Sequence, residues 1–225
     1  MGMQLASGLL FIGIHVLISS SPLRAILVNR IGLIPYLAGF SVLSAIAIGG
    51  MIWSFADAEK IAIWQLPPVL WTAVIIAIPL GLWLALLSFG APNPTTVGQE
   101  SLIKSDMPAT GIVRVTRHPF MVGFALWALG HMLANGDLAS QLFFGVFFIQ
   151  AAIGPWLIDR KRAVNFAAQW PGFAAVTSAI PFAAILAGRN QFRPGEIGWA
   201  RALITLLALA LLFYFHGNLF GVALI

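Results

Sequence analysis

The sequence predicts an all-α fold: a polytopic transmembrane helix bundle of about six spanning helices, with one cytoplasmic interfacial or re-entrant segment. Three observations carry that expectation. Of the 225 residues, 60% are hydrophobic and only 8% are charged. The mean hydropathy is +0.95. The apolar residues also gather into runs about as long as a bilayer core is thick. Soluble domains carry about 25% charged residues because their surface must be wet. A chain this poor in charge has lipid as its main solvent.

A helix needs about 20 apolar residues to cross the hydrocarbon core. The runs Met3–Pro22, Ile31–Phe55, Trp64–Phe89, Pro119–Ala134, Leu138–Ile158 and Ala200–Gly221 meet or approach that length. None alternates apolar with polar residues, which argues against transmembrane strands. A seventh run, Ala174–Gly188, is too short to span comfortably and carries Pro181, so it reads as interfacial or re-entrant. No repeat divides the chain, and residues 1–225 read as one membrane domain. No basic residue precedes the first run, which is long enough to span, so no cleavable leader is expected.

Cysteine is absent, which excludes disulfides, thiolate nucleophiles and cysteine metal ligation. The net charge is +5, and its placement argues for topology rather than nucleic acid. Threading six spans puts Arg24, Arg30, Lys104, Arg114, Arg117, Arg160, Lys161, Arg162, Arg189, Arg193 and Arg201 on one side and only Lys60 on the other. The positive-inside rule assigns the basic side to the cytoplasm and both termini to the periplasm.

The longest polar stretch, Gly90 to His118, is cytoplasmic in this topology, and loops of that length are often functional. Its end, Gly111 to Pro119, reads as a short surface strand or a turn, and Pro119 suits the first position of the fourth helix. The segment from Asp159 to Pro181, with its basic cluster and Phe166, Trp170 and Phe173, has the composition of an interfacial helix. Asn135-Gly136-Asp137 is a turn signal.

Ionisable residues inside a membrane are functional candidates by default. Away from their ends the spans contain no Asp, Glu, Lys or Arg, which leaves His15, His131 and His216. At about 1.5 Å per residue, His15 lies roughly 13 Å from Arg24 and His131 roughly 18 Å from Pro119. Both positions are near mid-bilayer, whereas His216 lies towards the outer end. Neutral imidazole is a good iron ligand and needs no compensating charge. Two histidines without cysteine or carboxylate suit bis-histidine haem b better than zinc, which wants three or four protein ligands. Gly8, Gly13, Gly123, Ala128 and Gly130 are small neighbours that leave room for a flat macrocycle, and Phe11, Phe124 and Trp127 are available to wall it. The alternative is that the histidines hydrogen-bond across helices and glue the bundle. His216 alone reads as structural or interfacial. Arg117 and His118, at the start of the fourth helix, offer either an anion site for a headgroup, a propionate or a cosubstrate carboxylate, or a snorkelling arginine before a helix-starting proline.

The stretch Gly111-Ile-Val-Arg-Val-Thr-Arg-His-Pro-Phe120, continued through Gly123 to His131 and Ala134 to Asp137, resembles the NnrU family. So do His15 with Ser19-Ser20-Ser21-Pro22-Leu23-Arg24, and Trp170, Phe173, Thr177-Ser178 and Pro181-Phe182. The resemblance runs over nearly the whole chain in matching order. It implies a bacterial inner-membrane protein linked to denitrification or nitric oxide metabolism, related to the haem-containing zeta-carotene isomerases. In those enzymes a reduced haem b isomerises a cis double bond. By position the resemblance implies that His15 and His131 are axial haem ligands, and it implies a lipid-soluble polyene substrate and a redox partner. The plant enzymes carry a cysteine three residues before the second ligand, where this chain has Ala128, so their ligand switch is not available here.

Three function classes follow. The first is a haem b membrane protein, acting as a redox-regulated isomerase or as an accessory in nitric oxide metabolism. The second is an S-adenosylmethionine-dependent membrane methyltransferase. Those enzymes share an Arg-His-Pro helix start, but they follow it with a tyrosine and downstream glutamates that this chain lacks. The third is a non-enzymatic assembly factor for a membrane complex. A transporter fits poorly, because the spans lack charged or broken-helix sites.

Overall fold

The computed structural model describes residues 1–221, and among them it is helical without a named strand. The helices are α1 (Gly2–Gly13), α2 (Pro22–Ile31), α3 (Leu33–Ala56), α4 (Pro68–Ser88), α5 (Ile112–Val115), α6 (Pro119–Ala134), α7 (Leu138–Asn165), α8 (Trp170–Val176), α9 (Ala183–Leu186) and α10 (Trp199–Phe220). Helices α3, α4, α7 and α10 are long and apolar enough to cross a membrane, and their large side chains are mostly exposed, as a lipid-facing surface requires. The expected C-terminus beyond the last span concerns residues 222–225, outside those described.

The first apolar run is not one straight helix. Ile14–Ile18 continue α1 as a π-turn, and the axis then bends by 84° into α2. Two serines hold the bend. Ser20 donates to the His15 carbonyl at 3.0 Å and Ser21 donates to the Leu17 carbonyl. The Ser21 oxygen also caps α2 by accepting from the Leu23 amide, with Pro22 at the first helical position. The fourth expected span is the 16-residue α6, about 24 Å long at the standard rise. Trp64 to Pro67, read as the start of the third run, lie outside α4, which begins at Pro68.

The chain forms two compact units. The first comprises Met1–Ile76 and Ala128–Lys161. Here α1 packs along α3, and Gly8 lies so close to Val146 of α7 that an added Cβ would sit 2.6 Å from its methyl. The turn after α6 docks onto the α3–α4 loop. Ile63 and Trp64 donate to the Gly136 carbonyl at 2.7 and 3.1 Å, and Leu138 donates to Ile61 at 2.8 Å. A Cβ on Gly136 would collide with the Trp64 backbone, so this turn signal is also an anchor. Asp137 then caps α7 through the Ser140 amide and hydroxyl. Lys60 lies 3.3 Å above the Phe55 ring. Burial there pulls the Lys60 ammonium below the usual lysine range, partly opposed by nearby Asp137.

The second unit comprises Ala77–Trp127 and the chain from Arg162 onward. Helices α4 and α6 meet at Gly81 and Gly123, where a Cβ on either would strike backbone of the other. The residues from Gly111 on, expected as a strand or turn, form the single helical turn α5. They are tied to the 178–182 stretch by Arg117 N to Ser178 O (2.9 Å), Thr116 Oγ1 to Ala179 O (2.8 Å) and Phe182 N to Val115 O (2.8 Å). Ala174–Gly188, expected as an interfacial or re-entrant segment, comprises the end of α8, a link that turns at Pro181–Phe182, and α9.

Candidate functional site

His15 sits inside the π-turn, a distortion that recurs at functional sites. Its Nδ1 lies 2.8 Å from the Phe11 carbonyl. A carbonyl only accepts, so Nδ1 carries the proton and Nε2 keeps its lone pair. That is the tautomer a metal ligand needs, held by the kind of backbone contact that orients ligating histidines. Phe11 and Phe40 flank the imidazole, with ring centroids at 4.3 and 4.9 Å.

His131, on α6, stacks on Phe144 of α7 at 4.6 Å. Its carbonyl accepts from the Asn135 side chain at 2.8 Å. A continuous run of ring contacts within the first unit links the two histidines, from His15 to Phe11, Phe147, Phe143, Phe144 and His131. Gln4 bonds Ala139 while Phe11 meets Phe147, so α1 and α7 run in the same direction. His15 is one turn past Phe11, and His131 is level with Phe144. The two histidines are therefore staggered along α7 by roughly 10 Å rather than level.

The same unit is short of hydrogen bonds. Gln4 Oε1, Tyr36 Oη, Ser44 Oγ, Gln141 Oε1 and Gln150 Oε1 are buried without a partner, and all five belong to it. Buried polar atoms are normally satisfied, so each needs a water or a ligand atom. On α3, Tyr36, Phe40 and Ser44 recur every fourth residue, placing the two hydroxyls on the face that presents Phe40 to His15. A search limited to charged residues and histidine misses these groups; their helical spacing was the signal that could have found them.

The small residues expected to make room for a macrocycle divide three ways. Gly8 and Gly123 are used up by helix–helix contact, and Ala128 is fully buried. Gly130 is buried as well, and Gly13 faces open space, with no atom within 4 Å of an added Cβ. Phe124 and Trp127 stack on each other at 4.9 Å in the second unit.

Arg117 and His118 also belong to the second unit, where they are woven into a lock. The Arg117 guanidinium lies over Trp170, 5.7 Å from its ring centre, and its carbonyl accepts from Thr95 and Asn93 at 2.7 and 3.2 Å. His118 is 2% exposed, and its amide donates to Thr116 Oγ1. Arg162, read from sequence only as part of the basic cluster, is 4% exposed; it donates to the carbonyls of Pro94, Thr95 and Thr96 and pairs with Glu100 at 3.0 Å. Arg114 holds Glu196 bidentately at 2.7 and 3.1 Å. These bonds from Arg114, with one from the Gly111 amide, hold the Glu196 carboxyl down at about 2. His216 packs its ring against Phe220 on α10. Among the described residues no cluster of three or more His, Asp or Glu forms a metal site.

The family model described as NnrU protein matches residues 4–224. The chloroplastic 15-cis-zeta-carotene isomerase of Arabidopsis thaliana is 35% identical over 116 residues, which is 48% of this chain and 31% of that protein. Its Zea mays counterpart is 32% identical over 116 residues, 49% of this chain and 32% of that protein. The matched stretch therefore spans about a third of the length of either relative. No solved structure matches the chain.

Proposed function

The chain belongs to the NnrU family, and on that premise we propose that it is a haem b-binding integral membrane protein in which His15 and His131 would hold the haem, acting as an isomerase on a lipid-soluble polyene. The observation that carries the reading is the His15 imidazole, whose Nδ1 is bound to the Phe11 carbonyl and whose Nε2 is left as a donor. The donor set fits the group. Two neutral imidazoles in apolar, aromatic surroundings are the ligands a b haem takes, and the roughly 10 Å stagger means that their helices would have to slide to bring both to one haem. A bound haem supplies an iron centre able to polarise or exchange an electron with an unsaturated substrate.

The protein's own residues do the rest. Phe11 and Phe40 exclude water around His15, the Phe11 carbonyl fixes its tautomer, and Phe144 orients His131. The substrate class rests on the printed names of the relatives, which act on 15-cis-zeta-carotene. One observation favours a second reading. Ala128 stands where the plant pattern has cysteine, which favours a redox-responsive accessory role in nitric oxide metabolism with a partner protein. In either reading the protein sits in a bacterial inner membrane with its basic loops in the cytoplasm.

The test is the visible spectrum of purified protein, oxidised, reduced and treated with nitric oxide. A six-coordinate b haem is expected in the wild type, and a five-coordinate or lost haem in His15→Ala and His131→Ala. A wild-type preparation that stays colourless after haem supplementation overturns the reading. Turnover of a cis-polyene by reduced protein separates the isomerase from the accessory role.

A further inference from the structure

The 84° bend between the π-turn and α2 leaves a groove of about 160 Å³ among α1, α2 and α3. Ile14, Ile18, Leu27, Pro35 and Leu43 line it, so its wall is almost wholly hydrocarbon. Gly39 keeps it open, since a Cβ built there meets nothing within 4 Å. Two polar features break the apolar lining. Tyr36 is 6% exposed, and its hydroxyl is buried with no hydrogen-bond partner. The Arg24 guanidinium lies over the same ring, 5.5 Å from its centre, and among the described residues no carboxylate pairs with it.

We propose that this groove binds an amphiphile made of an apolar chain ending in an anionic head, with the chain along Gly39 and Leu43 and the head at Arg24 and Tyr36. A pure hydrocarbon would fill the groove and leave the buried phenol without an acceptor, which is costly. A small water-soluble anion would satisfy Arg24 and leave the groove empty. An acyl chain with a carboxylate or phosphate head answers both, because a guanidinium recognises either oxyanion and the phenol donates to its oxygens. The site goes beyond the haem reading: it shares the Phe40 ring with the surroundings of His15 but needs no bound haem.

The test is native mass spectrometry of the full chain with three probes: oleate, phosphatidylglycerol and the uncharged monooleoylglycerol. At least one anionic probe is expected to bind about tenfold more tightly than the uncharged one, as a charge-assisted contact allows. Oleate ahead of phosphatidylglycerol identifies a free fatty acid, the reverse identifies a phospholipid, and equality means the anionic head alone selects. Arg24→Gln is expected to erase the preference, and Tyr36→Phe to weaken binding of the anionic probe several-fold. Gly39→Leu puts a side chain into open space and favours the helix, so it keeps the melting temperature while lowering binding of all three by about tenfold or more. Equal binding of charged and uncharged probes by the wild type, or unchanged binding by a Gly39→Leu protein that melts normally, overturns the proposal.

Discussion

Gly123→Ala isolates what one methyl group does at the contact between α4 and α6. The added Cβ would lie 2.5 Å from the Ala85 amide nitrogen, 3.1 Å from its Cα, and nearer still to the Gly81 carbonyl oxygen. All three are backbone atoms, so no side chain can swing away; the helices must part by up to an ångström. Overpacking of this kind costs about 1–3 kcal/mol, and a rigid backbone partner puts it at the upper end. Alanine's better helix propensity returns about 1 kcal/mol, leaving a net loss of about 2 kcal/mol. At roughly 2–4 °C per kcal/mol for a chain of this length, melting falls by about 4–8 °C. The control is Gly49→Ala, which meets nothing within 4 Å and keeps only the propensity gain. Both variants are followed by thermal unfolding in the same detergent, together with haem retention. A Gly123→Ala protein that melts at or above the wild type would falsify the close contact. A variant that keeps its melting temperature but loses haem would show that Gly123 makes room for the cofactor after all.

Arg162→Met removes a buried guanidinium, leaving three loop carbonyls and the partly exposed Glu100 without it; leaving buried acceptors unpaired costs about 1–3 kcal/mol. Limited proteolysis is expected to cut the 93–104 loop faster than in the wild type, and an unchanged rate counts against the lock. The Glu196 carboxyl, lowered from 4.5 to about 2, stabilises the fold above its unfolded value. Protection of the Gly111 amide, corrected for intrinsic exchange, should therefore hold at neutral pH and be lost as pH falls from 4.5 towards 2. Glu196→Gln should remove that step, so an acid step that persists assigns it to another group. Phe147→Ala interrupts the ring run between the histidines and should cost the apoprotein about 3–5 kcal/mol. If the rings only wall the cofactor, haem loss should follow stability; if they fill its place, haem retention should rise as stability falls.

The helices were legible because hydropathy reports directly on length in lipid, and α3, α4, α7 and α10 fall close to the runs read from sequence. The break after Ile18 was harder to see. Ser19-Ser20-Ser21-Pro22 stands in plain view, yet a hydropathy window averages a bend away, and only the hydroxyl-to-carbonyl bonds reveal it. His15 and His131 were found because an ionisable group in lipid is rare. Their stagger was not legible, because depth was counted from Arg24 and Pro119 as if each helix began at the same plane. The roles of Gly8 and Gly123 were misjudged for a general reason. A glycine in a spanning helix makes space, and sequence alone cannot say whether a cofactor or another backbone takes it.

The most motif-like residues and the most chemically open ones are in different units. Arg114, Thr116, Arg117, His118 and Arg162 look like machinery, yet their mapped partners are mostly backbone carbonyls, amides, Glu196, Glu100 and Trp170. Such contacts tie a long loop into one conformation. The first unit has the opposite character. It holds a histidine with an available Nε2, a π-turn, an apolar groove and, among the described residues, every buried polar side-chain atom without a partner. Unsatisfied groups in a low-dielectric interior are costly to keep. A water, cofactor or substrate would answer them, which is the reason the proposed site is put around α1, α3 and α7.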